Sequence, residues 1–310
     1  MKIVSLLPSA TEILCALGLE ESLVAVSHEC DFPPSVKALP KATSSRIPHG
    51  LKPEEIDQRV REAKKAGLPL YVVDGDLLGE LEPDLIVTQG LCDVCAVTPE
   101  TVDAALAELP AEALAGARIL ALGGTSIEGV FADIEAVAEV CEIEERARPI
   151  LSDLRQRWSR LEDSEPEQRP RVFMLEWPEP AWIGGHWVPE QVEAAGGADV
   201  LGLPGEKSRS VSWDEVEAAD PDIICVMACG FDLENNSAFA RSLQFHHRAR
   251  HLRAVRSGQL FALDANRYFS RPAPGLVEGA ELLRGILQSG QEVADKVCRI
   301  QPSPRIQGES

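Results

Sequence analysis

The apolar residues from Glu142 to Asp163 return every three or four positions: Ile143, Ala147, Ile150, Leu151, Leu154, Trp158 and Leu161. That is the period of one buried helical stripe. The stretch predicts a helix of roughly 20 residues, about 30 Å long at about 1.5 Å per residue. Pro149 should kink it or mark its effective first turn. On either side, short apolar runs alternate with helical patterns. Before it, strands are expected over Lys2–Leu7, Leu23–Val26, Leu70–Val73, Leu85–Thr88 and Ile119–Leu122. Helices are expected from Pro8, with a Ser9/Glu12 capping box, over Pro53–Ala66 up to Gly67, over Leu77–Leu81, from Thr98-Pro99, and over Ile127–Val140. Thr43 to Gly50 reads as a loop. After it, strands are expected at Val172–Leu175, Ile223–Met227 and, as the last, Leu260–Leu263. Helices are expected at Pro189–Ala195, Ser212–Ala219 with Ser212 and Glu215 as a capping box, His246–Val255 and Pro274–Gln288.

This alternation gives an α/β fold of two lobes joined by one long connecting helix. The division is 1–141 for the N-terminal lobe, 142–163 for the connecting helix and 164–310 for the C-terminal lobe with a frayed tail. A short echo supports related lobes: Glu82-Pro83-Asp84-Leu85-Ile86 returns as Asp220-Pro221-Asp222-Ile223-Ile224. Matching strand ends would then flank a cleft between the lobes.

Composition and charge change this picture in three respects. A formal charge of −20 argues against nucleic acid or an anionic membrane surface as partner. No apolar run reaches the length of a membrane span, and the N-terminus carries no signal-peptide pattern. Eight cysteines at scattered spacing do not form a disulfide framework. The expectation is a cytoplasmic protein, or a periplasmic or extracellular one if an export signal has been trimmed.

Several stretches taken together resemble a known family: Ile3 to Glu12, Val24 to Ser27, Cys30 to Pro34, Leu81 to Val87, and Phe269-Ser-Arg-Pro-Ala-Pro274. They are similar to the helical-backbone substrate-binding proteins of ABC importers, in the branch that binds vitamin B12. The resemblance implies two lobes, each with a central parallel sheet flanked by helices, a rigid connecting helix, small hinge motion, and cobalamin held in the interlobe cleft without chemical change. It also implies docking on an importer permease through one acidic residue per lobe. The first such position falls near Asp76; the second falls near Ser270, which is not acidic. A family Tyr in the first cleft loop stands as Glu29 here, and a Trp in the last loop as Tyr268.

A flat macrocycle rimmed by amides calls for aromatic faces, amide or hydroxyl partners, and an atom able to meet cobalt. Trp177, Trp182 and Trp187 crowd one loop-rich stretch beside Gly184-Gly185, with burial in a lobe core as the alternative. Phe32, Tyr268 and Phe269 are further aromatic candidates, and Asn266 and Arg267 could bond the ligand's amides. His28 and His186, one per lobe, are the candidate axial donors. Cys92-Asp-Val-Cys95 could hold a metal ion, serve redox chemistry, touch cobalt, or be two small residues in a turn; His28, Cys30 and Cys229 are the groups that could complete a zinc site.

The expected function is non-catalytic binding of a corrinoid, cobalamin first. Haem or an iron siderophore is the alternative ligand, and a metal- or thiol-dependent enzyme using Cys92 and Cys95 the alternative class.

Overall fold

The computed structural model describes residues 1–48, 50–90, 116–163 and 168–303. The chain divides into two units, Met1–Gly124 with Glu128–Leu151, and Thr125–Ile127 with Ser152–Ser310.

The first unit contains β1 (Ile3–Ser5), α1 (Pro8–Ala16), β2 (Leu23–Val26), β3 (Thr43–Ser45), α2 (Pro53–Ala66), β4 (Tyr71–Val73), α3 (Gly75–Leu81), β5 (Leu85–Gln89), β6 (Arg118–Leu122) and most of α4 (Ile127–Val140). β2, β1, β5 and β6 form a wholly parallel sheet in that order. β1 and the first four residues of β5 are buried throughout, the continuous apolar signature of strands covered on both faces. α2 shows how local chemistry fixes an element. Pro53 opens it, Glu54 and Glu55 sit in its first turn, Lys64 and Lys65 in its last, and Gly67 at φ 66° ends it.

Helix α5 (Glu144–Glu162) runs from the first unit into the second. Its stripe is buried as expected at Ala147, Leu151, Leu154 and Leu161. The helix begins at Glu144, more than one turn before Pro149, so the proline lies inside it rather than marking its first turn. Within the second unit the helix is fastened by Arg157, whose Nε and Nη2 donate to Glu281 at 2.9 and 2.6 Å.

The second unit continues with β7 (Arg171–Pro178), β8 (Ala181–Ile183), α6 (Val188–Ala194), β9 (Ala198–Asp199), β10 (Arg209–Ser210), α7 (Trp213–Ala219), β11 (Ile223–Val226) and α8 (Leu233–Leu243). It ends with α9 (Arg253–Arg256), β12 (Leu260–Leu263), α10 (Ala265–Tyr268), α11 (Gly275–Ser289) and β13 (Val297–Arg299). The sheet order is β10-β8-β7-β11-β12-β13, with β9 also on β7. Its centre is parallel; β8, β10 and β13 add antiparallel edges.

Five local expectations change. Ser9 lies inside α1, whose N-cap is Leu7 with no side-chain cap. Thr43–Ser45 is a strand paired with β4, not loop. Leu260–Leu263 is not the last strand, because β13 joins its edge. α8 was not anticipated: Asn235-Asn236-Ser237 hides a helix that Asp232 caps by accepting from Asn235 N–H at 3.0 Å. His246–Val255 is not one helix. Nδ1 of His246 accepts from the N–H groups of Arg248 and Ala249 at 3.3 and 3.1 Å, and Leu252 is extended, which breaks the run before α9. At the surface of this stretch Arg248 pairs with Asp214 and Glu217, and Arg253 with Asp220 and Asp222. The Ser212/Glu215 capping box forms with both of its bonds.

Candidate functional site

Open parallel sheets bind ligands beyond the carboxyl ends of their strands, so the loops leaving β2, β11 and β12 are the places to look. In the first unit, β2 delivers Ser27, His28, Glu29 and Cys30. Thr43, the first residue of β3, organises them. Its Oγ1 donates to Ser27 Oγ at 3.0 Å and accepts from His28 N–H at 3.1 Å. His28 Nδ1 lies 2.7 Å from the same oxygen. The threonine's one proton is already given to Ser27, so Nδ1 is the donor and the proton of neutral His28 sits there. The ring lies 5.2 Å from that of Tyr71, whose hydroxyl donates to Glu29 Oε1 at 3.0 Å. Phe32 follows, half-buried. Cys30 is 3% exposed with its sulfur 3.1 Å from Thr11 Oγ1, so it is an interior thiol.

The second unit supplies most of the aromatic groups. Trp177 and Trp182 face each other across β7 and β8, both half-buried. The Trp177 ring lies 5.7 Å from Phe231 in the loop after β11, and Phe231 meets Phe239 edge-on at 5.0 Å. At Gly184 and Gly185 the chain approaches itself too closely for a side chain. A Cβ on Gly184 would fall 2.7 Å from Val188 and 2.9 Å from Met227, and one on Gly185 would fall 2.3 Å from the backbone nitrogen of Ser208. His186 follows at φ 55°, half-buried, its imidazole held below the ordinary basicity by burial and then by Lys207.

Three of the expected aromatic contacts turn out to be interior. Trp187 is 6% exposed and donates from Nε1 to the Phe269 carbonyl at 2.7 Å, while Tyr268 and Phe269 are 2% and 1% exposed. Burial raises the affinity of the Tyr268 hydroxyl for its proton. Asn266 and Arg267 remain half-buried on α10, with the Arg267 guanidinium 5.3 Å from the Tyr268 ring.

Two buried amides that hold these loops escaped sequence reasoning. Asn236, wholly buried on α8, accepts from Ala228 N–H at 2.7 Å and donates to the carbonyls of Phe231 and Leu263 at 3.1 and 3.0 Å. It ties the loop after β11 to the end of β12. Gln191 on α6 donates to the carbonyls of Tyr268 and Leu276 at 2.9 and 2.7 Å. A polar amide inside an otherwise apolar helical stripe is the signal that could have found both.

Cys92 and Cys95 lie outside the described residues. Among the described residues, no group of three or more His, Cys, Asp or Glu is arranged to hold a metal ion.

The sequence profile of the family described as periplasmic binding protein matches residues 3–267. The chain belongs to the periplasmic binding protein family. It is 24% identical over 294 residues to the vitamin B12-binding protein of Vibrio cholerae serotype O1, covering 94% of this chain and 90% of that protein. Among solved structures it is similar to the periplasmic vitamin B12 binding protein BtuF of Vibrio cholerae, with TM-score 0.66 and 23% identity, covering 94% of this chain and 98% of that one. It is also similar to a periplasmic heme binding protein from Pseudomonas aeruginosa, with TM-score 0.69 and 19% identity, covering 97% and 99%. Likeness at these identities establishes the two-lobe α/β fold.

The family overturns the expectation of a cytoplasmic location, because this is a periplasmic family. A buried thiol resists oxidation in any compartment, and among the described residues Cys30 and Cys225 are such thiols, so their free state does not report where the chain resides. Cys225 is wholly buried, and desolvation pushes its pKa up to about 12.

Proposed function

We propose that the protein binds a corrinoid, cobalamin before any other, and carries it without changing it chemically. The observation that carries this reading is the sequence match along 94% of the chain to a vitamin B12-binding protein. The residues present suit such a guest. A corrin offers broad apolar faces and a rim of amides, which call for aromatic surfaces and hydrogen-bonding groups that need carry no net charge. The contacts we assign are His28, Glu29 and Phe32 in the first unit and Trp182, His186, Asn266 and Arg267 in the second. Trp187, Tyr268 and Phe269 act from behind these, as the packing that holds α10 and the loop after it.

Haem is the second reading, favoured by His28. With its proton on Nδ1, that ring has its lone pair on Nε2, the state a metal donor needs. Haem ranks second because His28 Nε2 is buried. Anionic iron chelates fit less well with an acid-rich chain of charge −20. An ABC importer is the partner the family resemblance suggests, and Asp76, exposed in the first turn of α3, is the docking residue we assign.

Titration calorimetry with cyanocobalamin and, separately, haemin tests the reading. Saturable binding of one cyanocobalamin at micromolar affinity or tighter supports it. Binding of haemin alone would replace it with the second reading.

A further inference from the structure

The two nitrogens of His186 live in different surroundings, and the mount that holds them is rigid. The backbone is in the left-handed region, which residues bearing a Cβ rarely enter, and such conformations concentrate at functional sites. Two bonds lock it there: His186 N–H donates to the Glu206 carbonyl at 2.6 Å, and its own carbonyl accepts from Gly205 N–H at 2.9 Å. The imidazole lies 5.6 Å from the Trp187 ring at 31°, and Trp187 is itself anchored to Phe269.

Nδ1 is buried and makes no hydrogen bond among the described residues. The residue as a whole is only half-buried, so the ring meets its surroundings by the opposite edge, which carries Nε2. A buried N–H without an acceptor is rarer than an unused lone pair. The proton of the neutral ring therefore belongs on Nε2. Coordination to a metal through Nε2 would demand the reverse arrangement, with the proton on Nδ1 and a partner there to receive it. His28 has that arrangement through Thr43; His186 lacks it.

We propose that His186 is a neutral hydrogen-bond donor, through Nε2–H, to a carbonyl or carboxylate oxygen on the rim of the bound macrocycle, and not a ligand to its metal. The inference rests on the binding reading above and assigns the chemistry of one of its contacts. It makes the residue a selector for the guest's peripheral groups, while the metal's upper ligand goes unread by this unit's imidazole.

The test compares the unaltered protein with His186→Phe and His186→Gln, titrated with cyanocobalamin by calorimetry and with hydroxocobalamin by visible absorbance. Both substituents meet the same backbone demand at φ 55°, so a difference between them reports the donor rather than folding. The expected result is cyanocobalamin binding weakened about ten-fold in His186→Phe and restored to within about three-fold by the amide donor of His186→Gln. The bound hydroxocobalamin bands should coincide in all three proteins. Equal affinity of His186→Phe and the unaltered protein overturns the contact. A hydroxocobalamin band shift present in the unaltered protein and lost in both variants overturns the donor role in favour of ligation. If the unaltered protein binds neither cobalamin, the binding reading itself fails and the inference falls with it.

Discussion

The two units enter their second central strand by the same device and then hold the loops beyond it by different ones. In the first unit α3 ends at Glu82 with φ 48°, Pro83 follows, and Asp84 starts β5 by accepting from Lys2 N–H at 2.7 Å. In the second, α7 ends at Asp220 with φ 38°, Pro221 follows, and Asp222 accepts from Arg171 N–H at 2.8 Å. The match extends to the backbone, where Asp84 N–H donates to Lys2 and Asp222 N–H to Arg171. Beyond the strands the likeness ends. The β2 loop is held by hydroxyls, with Thr43 bridging Ser27 and His28, whereas the loops of the second unit are held by the amides Asn236 and Gln191. The difference teaches that strand entry is a property of the fold, while the loops carry what is particular to each unit.

The largest effect should come from breaking the amide staple. Asn236→Ala strands one buried N–H and two carbonyls, and should destabilise the second unit by about 3 kcal/mol in a denaturant titration. Thr43→Val, nearly the same shape, should lower the stability of the first unit by about 1 to 2 kcal/mol. It should also free the His28 ring to change tautomer, which nitrogen NMR of the imidazole would read. A smaller contrast separates the two strand entries. The Asp222 side chain is 33% exposed and that of Asp84 is 59% exposed, so Asp222→Ala should cost about 1 kcal/mol and Asp84→Ala about half that. Equal losses would mean that burial does not grade the device.

The smallest effect is a pH dependence confined to the second unit. Burial lowers the His246 pKa from 6.5, with His247 beside it acting in the same direction; the Glu179 carboxylate stands 4.0 Å from Nε2. The unfolded chain therefore takes up the proton first. The stabilisation is complete above pH 6.5 and declines as pH falls below that value towards the folded pKa. Protonation also ends the acceptance from Arg248 and Ala249 N–H, so proton NMR should show the ring titrating below 6.5 together with faster exchange of those amides.

The fold was largely legible because its elements carry strong local marks. Pro53 and Gly67 bound α2, Ser212 and Glu215 box the start of α7, and the stripe of α5 repeats over five turns. β8, β9, β10 and β13 were missed because two or three residues cannot display alternation. The basic stretch from His246 misled because Ala249, Leu252 and Val255 keep a three-residue spacing whether the backbone is helical or broken. At the site, sequence could nominate His28 and His186 as a pair but not tell them apart. What distinguishes them is a hydroxyl from a distant strand in one case and, in the other, a buried edge with no hydrogen-bond partner among the described residues. Trp187, Tyr268 and Phe269 were aromatic and near the right strand, yet their burial depends on packing that no local pattern encodes.

Equilibrium dialysis of the purified protein against cyanocobalamin, with ferric siderophore and haemin as competitors in excess, bears most directly on the claim that this chain holds a corrinoid. The account predicts one cyanocobalamin retained per chain and not displaced by the siderophore. Retention no greater than that of an unrelated acidic protein would contradict it.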